Sequence, residues 1–197
     1  MANLCNTICS GAGTITNLRD VCDGIQLTKA GIGYIGFIKC GTALDMTSAA
    51  AIAAAKTANN LILFSAGIGS KGLPTPKKTK IKCGAESITG YTHTIAFKTY
   101  DTARTGVCQQ VNELITRKEL YRMFFVDCEG NWYYDTTALP AENPGFEYGA
   151  EGGHNITEND LTENQTFEFT LTVETNQDVA VICPVASSVA LTTALIN

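Results

Sequence analysis

Residues 167–174 read FEFTLTVE. Phe167, Phe169, Leu171 and Val173 alternate with Glu168, Thr170, Thr172 and Glu174. That is the period of a strand with one buried and one solvated face. It sets the expectation of an antiparallel, β-rich chain, because antiparallel sheets can leave one face in water. Asp178 to Val185 is the expected hairpin partner. Further out, ITGYTHTIAFKTYDT (88–102) repeats the period. Tyr91, His93, Ile95 and Phe97 fall on one face, and Thr92, Thr94, Ala96 and Lys98 on the other. Leu120 to Val126 and Trp132 to Asp135 form a predicted hairpin around the turn at 127–131, DCEGN.

The N-terminal half is less regular. Residues 25–40, IQLTKAGIGYIGFIKC, are read as a strand, a glycine turn and a second strand. Leu61 to Phe64 is a short predicted strand, residues 65–77 a loop, and Lys77 to Cys83 an edge strand. Two helices are expected. One runs from Ser48 to Lys56, rich in Ala, capped by Asp45 or Thr47 and ended at Asn59 and Asn60. The other runs from about Arg104 to Glu119, with Val107, Val111, Leu114 and Ile115 as its apolar stripe. Residues 136–164 form a long polar segment with Pro140, Pro144 and four glycines, read as one protruding loop.

Composition agrees with this outline. The 197 residues suit a single domain, 1–197. Apolar residues make up 45%, charged residues 17%, and the net charge is -5, which argues against a disordered chain or an ordinary nucleic-acid binder. The 26 threonines and 18 glycines favour strands and turns. No apolar run reaches about 18 residues, so no membrane span is expected. Met1 to Gly13 lacks a basic patch followed by an apolar core, so no secretory signal is expected. The predicted class is α+β, β-rich: an antiparallel β-sandwich or barrel with one or two flanking helices and a long loop.

Motifs for catalysis are sparse. The eight cysteines are scattered, without a Cys-x-x-Cys pair, and the two histidines, His93 and His154, are remote from Cys5 and Cys9. Zinc needs tight local ligand spacing, so free, mostly buried thiols are the expectation. Gly31, Gly33 and Gly36 match Gly-x-Gly-x-x-Gly literally. The residues after Gly36 look extended rather than helical, and Lys56 stands where a dinucleotide site needs an acid. Glu151, His154, Glu158 and Asp160 supply oxygens without a calcium-loop pattern, so a solvated acidic loop is expected. His93 lies on the apolar face of its strand, as a core or interface histidine does. Neither histidine adjoins a nucleophile elbow. No cofactor, metal or catalytic residue is expected.

Charge carries more information. Residues 1–100 hold ten Lys/Arg and four Asp/Glu; residues 101–197 hold four and fifteen. Lys71, Lys77, Lys78, Lys80 and Lys82 crowd one segment. Glu142, Glu147, Glu151, Glu158, Asp160 and Glu163 crowd the long polar one. A basic strand on one copy meeting an acidic loop on the next is a head-to-tail contact, which closes into rings or grows into tubes. Complementary charge would set its register and on-rate. Two solvated faces of a monomer explain the same split, with the lysines blunting a strand edge. The lysine segment has no aromatic from Gly67 to Gly90, which leaves no platform for stacking on single strands.

ITGYTHTIAFKTYDT, then the stretch NELITRKELYRMFFVDCEGNWYYD, then QTFEFTLTVETNQDVAVICPV give an order of strand, helix, hairpin and late alternating hairpin. In that order the chain resembles tailed-bacteriophage virion proteins of the tail-tube or neck-ring type, as in crAss-like phages, over about residues 80–185. The resemblance implies a non-catalytic subunit that joins copies of itself into a ring or tube around a DNA channel. Its partners would be itself and other virion proteins, with DNA passing nearby without specific recognition and no membrane. It would reside in the virion, and in the host cytoplasm during assembly. The assembly residues would be the basic and acidic clusters named above. Two other classes stay open: a capsid-decorating or fibre-anchoring virion protein, and an enzyme with a spatially assembled Cys/His or carboxylate site.

Overall fold

The computed structural model describes residues 31–64, 67–80, 84, 86–99, 107–136, 142–155 and 166–185. Its elements in chain order are β1 (Ile32–Lys39), α1 (Ala49–Thr57), β2 (Leu61–Phe64), β3 (Gly67–Lys71), β4 (Thr75–Lys80), β5 (Glu86–Thr99), α2 (Val107–Thr116), β6 (Tyr121–Asp127), β7 (Trp132–Tyr133), β8 (Gly149–Asn155) and β9 (Thr166–Asn176). A 3₁₀ turn, Lys118–Leu120, joins α2 to β6.

The nine strands form one antiparallel sheet in the order β7-β6-β1-β3-β5-β9-β8, with β2 added to β1 and β4 to β5. The sheet folds over on itself. Phe37 of β1 and Phe169 of β9 are not on neighbouring strands, yet their rings lie 6.3 Å apart. Phe64 and Tyr148 complete that aromatic cluster at 6.1 Å and 5.3 Å from Phe37. Single bridges, Met123 to Phe146 and Trp132 to Val185, draw the sheet's ends together. No continuous ladder closes it, so the architecture is a sandwich rather than a barrel. The expected α+β, β-rich class with two flanking helices is the fold found.

Alternation places the core. Phe167, Phe169, Leu171 and Val173 of β9 face inward with His93, Ile95 and Phe97 of β5 and with Ile35, Phe37, Met123 and Phe125. Val111 and Leu114 of α2 pack on this interior, and the Tyr148 hydroxyl donates to the Leu114 carbonyl at 3.0 Å. Burying each such side chain is worth roughly 1.5–3 kcal/mol against exposure. A second core lies outside β1, β2 and β6, where Ile38, Leu61, Phe124, Val126 and Trp132 meet Ile52 and Ala55 of α1.

Helix α1 is capped by Ser48, whose hydroxyl accepts from the Ala51 N–H at 3.3 Å; neither Asp45 nor Thr47 is the cap. Asp45 instead accepts from the Thr47 backbone N–H and hydroxyl, a local turn that delivers the chain to Ser48. The helix ends at Thr57, and just beyond its cap Asn59 takes the left-handed conformation (φ 56°) that Asn tolerates.

Several expectations need correction. Within the strand, glycine turn and strand expected at 25–40, residues 32–39 are one strand that runs through Gly33 and Gly36, and residues 25–30 lie outside the described residues. Gly36 is there for space: a Cβ would stand 2.2 Å from the Phe124 ring. The expected loop at 65–77 holds β3 and the start of β4, because the edge of β5 offers both a ladder. The expected loop at 136–164 contains β8, which pairs along β9. Its Gly152 tolerates no side chain, since a Cβ would lie 2.2 Å from the Glu168 carbonyl oxygen. Asp178 to Val185 is not the partner of β9, whose ladders are with β5 and, from Thr166 to Thr172, with β8. Helix α2 stops at Thr116, short of Glu119. Three cysteines, Cys40, Cys128 and Cys183, are free as expected but exposed rather than buried.

Candidate assembly surfaces

The basic cluster sits on an arm. Strands β3 and β4 pair one after the other along the same edge of β5, separated by Gly72–Pro74. Strand β9 pairs with β5 only from Gly90 to Thr99. Beyond Gly90, β5 has β4 as its sole neighbour among the described residues, and the two continue as a two-stranded ribbon with both outer edges unpaired. Every residue of β4 is exposed, and so are Leu73 at its base (90%) and Ile88 (40%). A register shift between Lys77 and Lys78 bulges the ribbon and increases its twist.

Two of the expected assembly lysines have partners within the chain. Lys77 pairs with Glu174 of β9, and Lys78 with Glu86 across the ribbon at 3.1 Å. Both are exposed pairs, worth little in isolation. Lys80 has no carboxylate within 4 Å among the described residues. Lys82 lies outside the described residues.

The acidic cluster divides similarly. Glu142 and Glu147 are exposed, and Glu147 accepts from the Arg122 guanidinium at 2.6 Å. Glu151 is exposed on β8, which borders the sheet on the side away from β4. Glu158, Asp160 and Glu163 lie outside the described residues. Strands β4 and β8 therefore flank the β5–β9 pair on opposite edges. They are also staggered, β4 at the Glu86 end of β5 and β8 at its Thr99 end. Among the described residues no lysine of the basic cluster pairs with a carboxylate of the acidic loop cluster.

Sequence reasoning missed a third feature. After β9 the chain turns at Asn176, whose carbonyl accepts from the Val179 N–H, and runs as a strap to Val185. There the Val185 N–H donates to the Trp132 carbonyl at 2.7 Å. A groove of about 690 Å³ opens between this strap, the end of β9 and residues 134–136 and 146–147. Val173, Val179, Val181, Ile182 and Phe146 give it an apolar lining, and its charged residues are Asp135, Glu147 and Glu174 alone. Four separate segments build it, so no local motif announces it.

His93 anchors the strap from below. Its side chain is buried, and its Nε2 lies 3.1 Å from the Thr175 hydroxyl. That hydroxyl donates to the Val179 carbonyl at 2.6 Å, so it accepts from His93 Nε2–H. Nδ1 is buried without a partner. Burial, and then the Lys71 ammonium, holds the imidazole below its ordinary pKa range. Burial likewise lowers Lys71. Gly33 and Gly36 lie inside β1 and open no helix. Among the described residues no three His, Cys, Asp or Glu side chains gather as a metal site would require. No known protein family, curated protein or solved structure matches the chain.

Proposed function

We propose that this chain is a structural subunit that joins copies of itself head to tail into a ring or tube, as in the tail or neck of a tailed bacteriophage. The observation that carries the reading is the β4–β5 ribbon. A two-stranded ribbon in water is marginal on its own, and unpaired strand edges are templates for another chain. Natural sheets blunt such edges or pair them; here lysines line an edge that a neighbour of opposite charge would accept. Glu151 of the acidic cluster sits on the far edge of the same sheet. A contact between two different surfaces is heterologous, and repeats until the rotation closes. Under this reading DNA passes along the assembly's channel without sequence recognition, other virion proteins stack on the ring, and the particle is its final location.

The test is mass photometry of the purified chain across a concentration series, with negative-stain imaging of the same samples. Rings or tubes with an open channel, weakened by added salt, are the expected result. A monomer at every concentration would overturn the reading.

A further inference from the structure

We infer that the groove beneath the strap is the socket for the arm of the next copy, with β4 pairing along residues 180–183. This rests on the self-assembly reading and names its contact.

Both partners carry unpaired backbone. The N–H groups of Ala180, Val181, Ile182 and Cys183 find no backbone acceptor among the described residues. The outer edge of β4 is equally unpaired. Proline sets the limits on each side: Pro76 precedes Lys77 on β4, and Pro184 comes directly after Cys183 on the strap. Proline cannot donate to a ladder, so the pairing window is Lys77–Lys80 against Ala180–Cys183. Adding a strand to such an edge draws its affinity from the main chain and its specificity from alternate side chains.

Side-chain chemistry matches. The groove mixes apolar and polar side chains, with three carboxylates and no Lys or Arg lining it, and Glu147 among them already accepts from Arg122. The arm offers Lys78, Lys80 and the exposed Ile88, and in sequence Lys80 is followed by Ile81 and Lys82. Glu174 already holds one lysine of β4, Lys77 of its own chain. A carboxylate has about four lone-pair sites, so that pair leaves room for a second donor. The arm cannot enter its own groove. Lys77 is fixed at Glu174, and at ~3.3 Å per residue Lys80 stands roughly 10 Å further out on a strand held by β5. The arm that enters the groove is therefore that of another copy.

The test uses two exposed sites, so folding is spared. Lys78→Glu with Lys80→Glu reverses the arm. Val181→Lys, at a side chain 56% exposed, places a cation in the groove. Each variant should raise the concentration needed for assembly at least about tenfold, the equivalent of ~1.4 kcal/mol. Mixed in equal amounts, they should form a heterodimer and stop, since only one intact arm and one intact groove remain. If the unaltered chain forms rings and either variant matches it, this contact is wrong and the self-assembly reading stands. If the unaltered chain never assembles, both fail.

Discussion

The two halves of the sheet solve burial differently. Around β1, β2 and β6 both faces are covered: Ile35, Phe37, Met123 and Phe125 point into the sandwich, while Ile38, Phe124 and Val126 point out under α1 and Trp132. Around β3, β5 and β9 only the inner face is covered, and Thr94, Ala96, Glu168 and Thr170 stand in solvent. The contrast separates a part built to be rigid from a part that still has edges and a face to offer. Strands covered on both faces have no face left to offer.

The largest expected effect tests that division. Phe124 is fully buried and stacks on Trp132 at 5.5 Å. Phe124→Ala should destabilise the monomer by about 3–5 kcal/mol, whereas Ile88→Ala on the arm should stay within about 0.5 kcal/mol. Urea unfolding of both variants checks this, and comparable losses would erase the distinction. Next comes Gly36→Ala, whose new methyl meets the Phe124 ring. Overpacking there should cost about 1–3 kcal/mol. An unchanged urea midpoint would mean that the covered half yields more easily than its packing suggests.

Ser48→Ala should cost about 1 kcal/mol through the lost cap of α1, and the loss should appear only in the covered half. Hydrogen exchange can localise it: faster exchange in α1 with β5 and β9 unchanged is the expected pattern. The smallest effect belongs to the open half and depends on pH. His93 is held neutral below its ordinary pKa of 6.5. As pH falls through 6.5, the unfolded chain takes a proton that the folded chain refuses, so stability drops until His93 itself protonates in place. Unfolding of His93→Gln at about pH 7.5 and about pH 5.5 should show a shallower drop than the unaltered chain. Equal drops would remove His93 as the cause.

The same contrast explains what the sequence discloses. Alternation in 91–97 and 167–173 marks strands with one wet face, and those were legible. The run Tyr121 to Val126 is apolar at nearly every position because both its faces are buried. Strands β3 and β8 were not legible. Gly67–Lys71 and Gly149–Asn155 are poor in β-branched residues, and they are strands because β5 and β9 supply ladders for them. The arm was half legible: lysine spacing marked an edge, but only the register of β9 shows where β5 outruns its neighbours. The intrachain pairs Lys77–Glu174 and Lys78–Glu86 join residues from different strands, beyond the reach of local charge counting.

Trp132 adds a practical consequence. It is the chain's one tryptophan, fully buried against Phe124, with its indole N–H lacking an acceptor among the described residues. An indole in so apolar and unbonded a setting should emit toward the blue. Its side chain belongs to the outer core and does not line the groove. Its fluorescence should therefore track unfolding and stay silent during association, so one optical signal can tell a subunit that has come apart internally from one that has merely left its neighbours.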